Sequence, residues 1–171
     1  MKKTININGE LMDLSIPKVM GILNVTPDSF YSESRKQTEQ QIVARCQQII
    51  NEGGTIIDVG AQSTTPTSRF IDAKEEAERL MPALKLIREE FPEAIVSIDT
   101  FYADVATMAV EEYGVNMIND ISGGQIDEGM FPTMAKLNVP YVLMHMRGTP
   151  QTMQQHTHYD HFLQEVLYFF S

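Results

Sequence analysis

Ala94-Ile95-Val96-Ser97-Ile98-Asp99 is an apolar run of strand length that ends in a carboxylate. Four other short apolar stretches carry polar residues at or near their ends: Val19-Met20-Gly21-Ile22-Leu23-Asn24, Thr55-Ile56-Ile57-Asp58-Val59, Met117-Ile118-Asn119-Asp120-Ile121 and Tyr141-Val142-Leu143-Met144-His145. Short, nearly continuous apolar runs of this kind read as buried strands. Amphipathic helical stretches separate them, and strands alternating with helices require a parallel sheet covered by helices, built from right-handed βαβ units. The class is α/β. A doubly wound sheet and a (β/α)8 barrel both satisfy it, so the choice falls to the polar residues. Asn24, Asp58 with Gln62 beyond it, Asp99 with Thr100, Asn119 with Asp120, and His145 all stand at strand ends. A barrel brings such ends to one mouth, where its βα loops build the site, whereas a doubly wound sheet concentrates function at one switch point. The pattern favours the barrel.

The intervening helices follow the expected signals. One is predicted to start at Thr38, with Gln41 completing a capping box, to carry Ile42, Cys46, Ile49 and Ile50 inward, and to stop at Gly53-Gly54. A second starts at Asp72 with Glu75 in the reciprocal position, repeats Ala77, Leu80, Met81, Leu84 and Ile87, and ends before Pro92. Others run from about Ala103 to Tyr113 and from about Met130 to Leu137, and a last begins near Asp160. Ahead of the strands, Ile5 to Leu14 carries Asn8-Gly9 at its middle and reads as a hairpin with a type I′ turn.

Composition limits the partners. The 171 residues carry 13 Lys and Arg against 23 Asp and Glu, a formal net charge of -10. That balance disfavours nucleic acid and anionic membrane surfaces, both of which ask for a basic face. At 43% hydrophobic and 21% charged residues, the chain is an ordinary globular one. One domain over residues 1–171 is the expectation, although a (β/α)8 barrel typically needs about 250 residues. The single cysteine, Cys46, falls on an apolar helical face and reads as core. The absence of a disulfide framework, of an apolar leader core after Lys2-Lys3 and of any membrane-length apolar run points to a soluble, cytoplasmic protein.

Neither a dinucleotide fingerprint nor a P-loop is present, which leaves the strand ends to carry the chemistry. Asp99 offers a fixed negative charge at the mouth, suited to an N–H-rich heterocycle and to positive charge developing on it. Asn119 adds a donor and an acceptor, and the two together form a clamp for a pterin or purine edge. Met144 alternates with Val142 and Met146 and reads as an apolar wall of the pocket. His156, His158 and His161 lie in a polar stretch after Pro150, with Asp160 as the nearby carboxylate, and read as a solvated loop rather than a metal site.

Gly21-Ile22-Leu23-Asn24-Val25-Thr26-Pro27-Asp28-Ser29-Phe30 resembles the first-strand signature of the dihydropteroate synthases. Asp58-Val59-Gly60-Ala61-Gln62-Ser63-Thr64-Thr65-Pro66, Ser97-Ile98-Asp99-Thr100, Ile118-Asn119-Asp120-Ile121-Ser122-Gly123-Gly124 and Leu143-Met144-His145-Met146-Arg147-Gly148-Thr149-Pro150 match the family's next four motifs in order. The resemblance implies a TIM barrel with an N-terminal hairpin, here five βα units of eight, ending inside the fifth helix. It implies condensation of 6-hydroxymethyl-7,8-dihydropterin diphosphate with p-aminobenzoate, diphosphate leaving first, on the folate pathway. Asp99 and Asn119 would then bind the pterin and act in catalysis, with Ile121 and Met144 on its faces. Asn24 would help place Mg²⁺ and the diphosphate. Ser63 and Thr64 would contact the diphosphate and aminobenzoate region, and Phe30 would close over the aminobenzoate. A homodimer is implied for the full-length family.

Three departures qualify the match. Thr65 stands where many members carry an anion-binding Arg, with Arg69 the candidate substitute, and Tyr31-Ser32-Glu33-Ser34 replaces the usual Ser-Asp-Gly-Gly, with Glu33 the candidate for its acidic contact. The family's later motifs, which bring a further pterin-binding Asp and most of the positive charge facing the diphosphate, are absent from these residues. The chain alone is therefore expected to be inactive and to self-associate through open sheet edges. Two other readings stay open: a barrel transferring methyl from methyltetrahydrofolate, and a non-catalytic pterin-binding or assembly fragment.

Overall fold

The computed structural model describes residues 3–25, 35–62 and 70–171, with residues 35–37 by their backbone only. Strands β1 (Thr4–Ile7) and β2 (Glu10–Asp13) form an antiparallel hairpin. Asn8 and Gly9, at φ 50° and 90°, supply the two positive angles of the anticipated type I′ turn. Five parallel strands follow in sheet order: β3 (Met20–Asn24), β4 (Ile56–Gly60), β5 (Ile95–Asp99), β6 (Met117–Asp120) and β7 (Tyr141–Leu143). Helices α1 (Arg35–Asn51), α2 (Ala73–Glu90), α3 (Ala103–Tyr113) and α4 (Met130–Leu137) connect them, and α5 (Phe162–Phe169) comes last. Strand order equal to chain order, with a helix at every crossover, is the (β/α) barrel arrangement, here an arc of five units.

Alternation along each strand separates two environments. Leu23, Val59, Ile98 and Ile118 face the helices and pack with Ile42, Cys46, Leu80, Leu84, Ile87 and Val105 into the main core. Cys46 is buried there with its thiol pushed up to about 11, chiefly by burial. The opposite face lines the barrel interior in rows fixed by register. Met20, Ile56 and Ile95 form the lowest row, and Ile22, Asp58, Ser97 and Met117 the middle one. Asn24, Gly60, Asp99, Asn119 and Val142 form the upper row, at the carboxyl ends of the strands. The hairpin seals the other end: Ile5, Ile7 and Met12 pack against Met20, Ile56, Ile95 and Met117. The carboxyl ends of the strands are the end that the hairpin leaves uncovered.

Two boundaries differ from expectation by two residues or more. Helix α1 begins at Arg35, ahead of Thr38, and Thr38 is buried within its first turns; Arg, Lys and Gln at 35–37 are good helix formers and extend it. Strand β7 stops at Leu143 instead of reaching His145, because its partner β6 ends at Asp120, whose carboxylate accepts from the N–H groups of Ser122 (2.7 Å) and Gly124 (2.8 Å) and turns the chain away.

Candidate functional site

The upper row brings Asn24, Asp99 and Asn119 together on adjacent or near-adjacent strands. Gly60 lies between the first two. A Cβ built there would stand 3.5 Å from Asp99 Oδ2 and 3.6 Å from Asn24 Oδ1, so the missing side chain keeps open a recess between a carboxylate and a carboxamide. Asn119 Nδ2 donates to Oδ2 of Asp58, 3.0 Å away in the row beneath. Asp58 is only 7% exposed, and its Oδ1 has no hydrogen-bond partner among the described residues.

Burial governs Asp99, and the neighbouring carboxylates add to it. Burial, then the charges of Asp58 and Asp120, push it up to about 7. Near neutral pH it divides between a neutral form that can donate and an anion that accepts only. A second buried acid stands behind it. Glu76, on α2, is fully buried, and burial pushes it up to about 7, with Thr100 and Gln62 pulling down and the charge of Asp99 pushing further up. Gln62 Nε2 donates to Glu76 Oε2 (3.1 Å) and to the Ile71 carbonyl (2.9 Å), while the Ile71 N–H donates to Gln62 Oε1 (3.3 Å). Tyr102 Oη also donates to the Ile71 carbonyl, at 2.9 Å. The chain before and after residues 63–69 is clasped at this point.

The remaining anticipated residues divide three ways. Ile121 and Met144 are both partly buried just beyond β6 and β7, and the Met144 N–H donates to the Asp120 carbonyl at 3.2 Å. Phe30, Glu33, Ser63, Thr64, Thr65 and Arg69 lie outside the described residues. Asp120 and His145 do not join the mouth. The Asp120 carboxylate is consumed by the turn and by the Tyr141 hydroxyl, and the His145 ring packs edge-on against Phe169 of α5, 4.7 Å between centroids. His156, His158 and His161 are exposed, and no group of three His, Cys, Asp or Glu among the described residues could hold a metal. Asp58, expected at a strand end, stands one row below the mouth, because its strand runs on to Gly60; Gly60 is the contribution that strand-end reading passes over, and its place two residues after Asp58, opposite Asp99, is the signal that marks it. No helix of the described residues is long and apolar enough to cross a membrane.

Comparison with known proteins agrees with the fold. The family model described as pterin binding enzyme matches residues 20–171. The mitochondrial folate synthesis bifunctional protein of Pisum sativum is 46% identical over 152 residues, 86% of this chain and 29% of that protein. Dihydropteroate synthase of Escherichia coli is 39% identical over 162 residues, 95% of this chain and 56% of the enzyme. Among solved structures, the Yersinia pestis dihydropteroate synthase with a sulfonamide drug complex superposes with TM-score 0.81 at 36% identity, over 98% of this chain and 60% of that one. The Xanthomonas albilineans synthase with 4-aminobenzoic acid gives 0.79 at 33% identity, over 99% and 58%. The chain thus spans at most about three fifths of these relatives. With the family match extending from the first barrel strand through the last helix, the chain belongs to the pterin-binding enzyme family.

Proposed function

We propose that this chain supplies the pterin-holding part of a dihydropteroate synthase, which joins a dihydropterin methylene to the amine of p-aminobenzoate with loss of diphosphate. The observation that carries the proposal is the row of Asn24, Gly60, Asp99 and Asn119: hydrogen-bonding groups flanking a recess at the carboxyl end of a (β/α) arc. Asp99 and Asn119 take the polar edge of the ring, with Ile121 and Met144 against its faces. Departure of the diphosphate leaves positive charge on the pterin methylene, and ionised Asp99, half-buried at its strand end, stabilises it before the amine attacks. Charge on the ring in turn favours the ionised form of Asp99. No covalent bond to the protein is required. Ser63, Thr64, Phe30 and Arg69 are assigned to the aminobenzoate and diphosphate side in the same proposal.

Asn24 offers one neutral oxygen at the rim of the recess. That fits a magnesium ion taking most of its ligands from the diphosphate and water rather than from a protein cage. Such an ion would supply charge neutralisation to the leaving group. A dimeric assembly and a cytoplasmic location belong to the same proposal. Sedimentation and subcellular fractionation decide them, the latter against the mitochondrial placement in the name of the pea relative.

The test is dihydropteroate formation by the full-length gene product and its Asp99→Asn variant. The variant keeps the shape and removes the charge, and a loss of kcat of about 10²-fold or more is expected, the scale of removing one electrostatic stabiliser. Wild-type rates in the variant, or methyl transfer in place of condensation, would sink the proposal.

A further inference from the structure

We infer that Asp58 is a positioning residue that fixes which end of the Asn119 carboxamide meets the ligand, and so makes the site select an amino-substituted pteridine over its oxo counterpart. The inference rests on the pterin reading above for its ligand and on the Asp58 to Asn119 contact for its mechanism. An ionised carboxylate accepts hydrogen bonds and cannot donate them. The group 3.0 Å from Asp58 Oδ2 must therefore be the nitrogen of Asn119. With one N–H held below by Asp58, Asn119 is left with its carbonyl oxygen and a second N–H, in an order that cannot reverse.

Asp58 has features of a residue kept for this purpose. It interrupts an otherwise apolar strand in the row beneath the mouth, between Ile22 and Ser97. One of its oxygens is buried with no partner among the described residues, and so is the hydroxyl of Ser97 beside it. A buried carboxylate oxygen without a partner is costly and asks for a reason beyond holding the fold together. Its charge carries a second cost, because it is one of the causes that push Asp99 up.

The fixed order has a chemical counterpart. A 2-amino-4-oxopteridine presents a ring-nitrogen acceptor beside an exocyclic amino donor. Its 2,4-dioxo counterpart presents a ring N–H donor beside a carbonyl acceptor, the reverse order. A carboxamide with its orientation locked pairs with one of these, and a carboxamide free to flip pairs with either.

The experiment measures dissociation constants of pterin and 2,4-dioxopteridine for the full-length protein and its Asp58→Asn variant. The amide at 58 can offer either end to Asn119 and releases the lock. The ratio of the two constants is expected to fall at least about tenfold, the worth of roughly one hydrogen bond, chiefly through tighter binding of the dioxo compound relative to pterin. Parallel weakening of both ligands, the signature of a merely structural role, overturns the inference. The ligand-free wild-type protein supplies an arm independent of the variant's folding. One Asn119 side-chain amide proton, assigned by its loss in Asn119→Ser, should be protected from solvent exchange; exchange of both at the rate of an exposed asparagine also overturns the inference. If the wild-type protein binds neither compound, it is the pterin reading that fails, and the exchange measurement still decides the lock.

Discussion

Glu76 shows how far a single residue can set the behaviour of this fold. Its side chain leaves α2 for a site behind the barrel wall where Gln62, Thr100, Asp99, Arg79 and Tyr102 surround it, and one of its oxygens finds no partner among the described residues. Folding raises Glu76 from 4.5 to about 7, and Asp99 from 3.8 to about 7. The unfolded chain releases both protons near pH 4, whereas the folded chain keeps them until about pH 7. Across that window the unfolded state binds fewer protons, so stability is greatest at the acidic end and declines as pH rises towards 7. Gln at 76 would retain an acceptor for Gln62 and carry no charge. Glu76→Gln is therefore expected to raise stability at pH 8 by up to about 3 kcal/mol and to leave it nearly unchanged at pH 4.5. Urea midpoints at the two pH values check this; a wild-type midpoint that does not fall between them contradicts the assigned shifts.

At the scale of elements, the joints of the fold are made by side chains borrowed from neighbouring loops. Helix α3 begins at Ala103 without a cap from its own N-cap residue, Tyr102. Asp127, from the loop between β6 and α4, accepts from the Ala103 N–H at 2.8 Å through one oxygen and from the Gly129 N–H at 2.8 Å through the other. One carboxylate thus satisfies free donors at the starts of two consecutive helices and meets the positive end of α3. Asp127→Ala should cost about 1–2 kcal/mol, read as a lower urea midpoint, with faster amide exchange confined to the first turns of α3 and α4. Uniform loss of protection across the sheet would show that the contact is not local. The helix α2 cap was legible because it is local: the Asp72 side chain accepts from the Glu75 N–H, three residues on. The α3 cap joins residues 24 apart, and no periodicity announces it. The same distinction explains the site. Asp99 and Asn119 stood out as polar ends of apolar strands, whereas the Asn119 to Asp58 contact spans 61 residues and two strands. For His145, a strand end two residues earlier than expected separates the barrel mouth from the aromatic layer on α5.

Over the whole molecule, the order of strands and the end at which chemistry gathers were readable, since alternation and strand-end polarity are local properties that repeat five times. How completely five units enclose an interior is a global property. The inner face of the arc gives the answer: Ile22 on β3 is 59% exposed and Val142 on β7 is 38% exposed, although both belong to interior rows. The outer side of α5 adds Phe162, Leu163, Leu167 and Tyr168, the last 83% exposed. Apolar exposure of this kind, together with sheet edges at β3 and β7 that have no strand partner on their outer side among the described residues, favours association. The net charge of -10 opposes it only within a Debye length of about 8 Å at physiological salt. A polypeptide of these 171 residues is therefore expected to sediment as a dimer or larger species, increasingly so at higher salt, and to make no dihydropteroate by itself. Glutamate at both Leu163 and Leu167 should shift it towards monomer by placing two charges within the exposed apolar face of α5 while leaving the Asp99 recess untouched. A monomeric wild-type polypeptide turning over substrate at enzymatic rates would contradict this, because an interior exposed at both β3 and β7 cannot exclude water from a cationic pterin methylene.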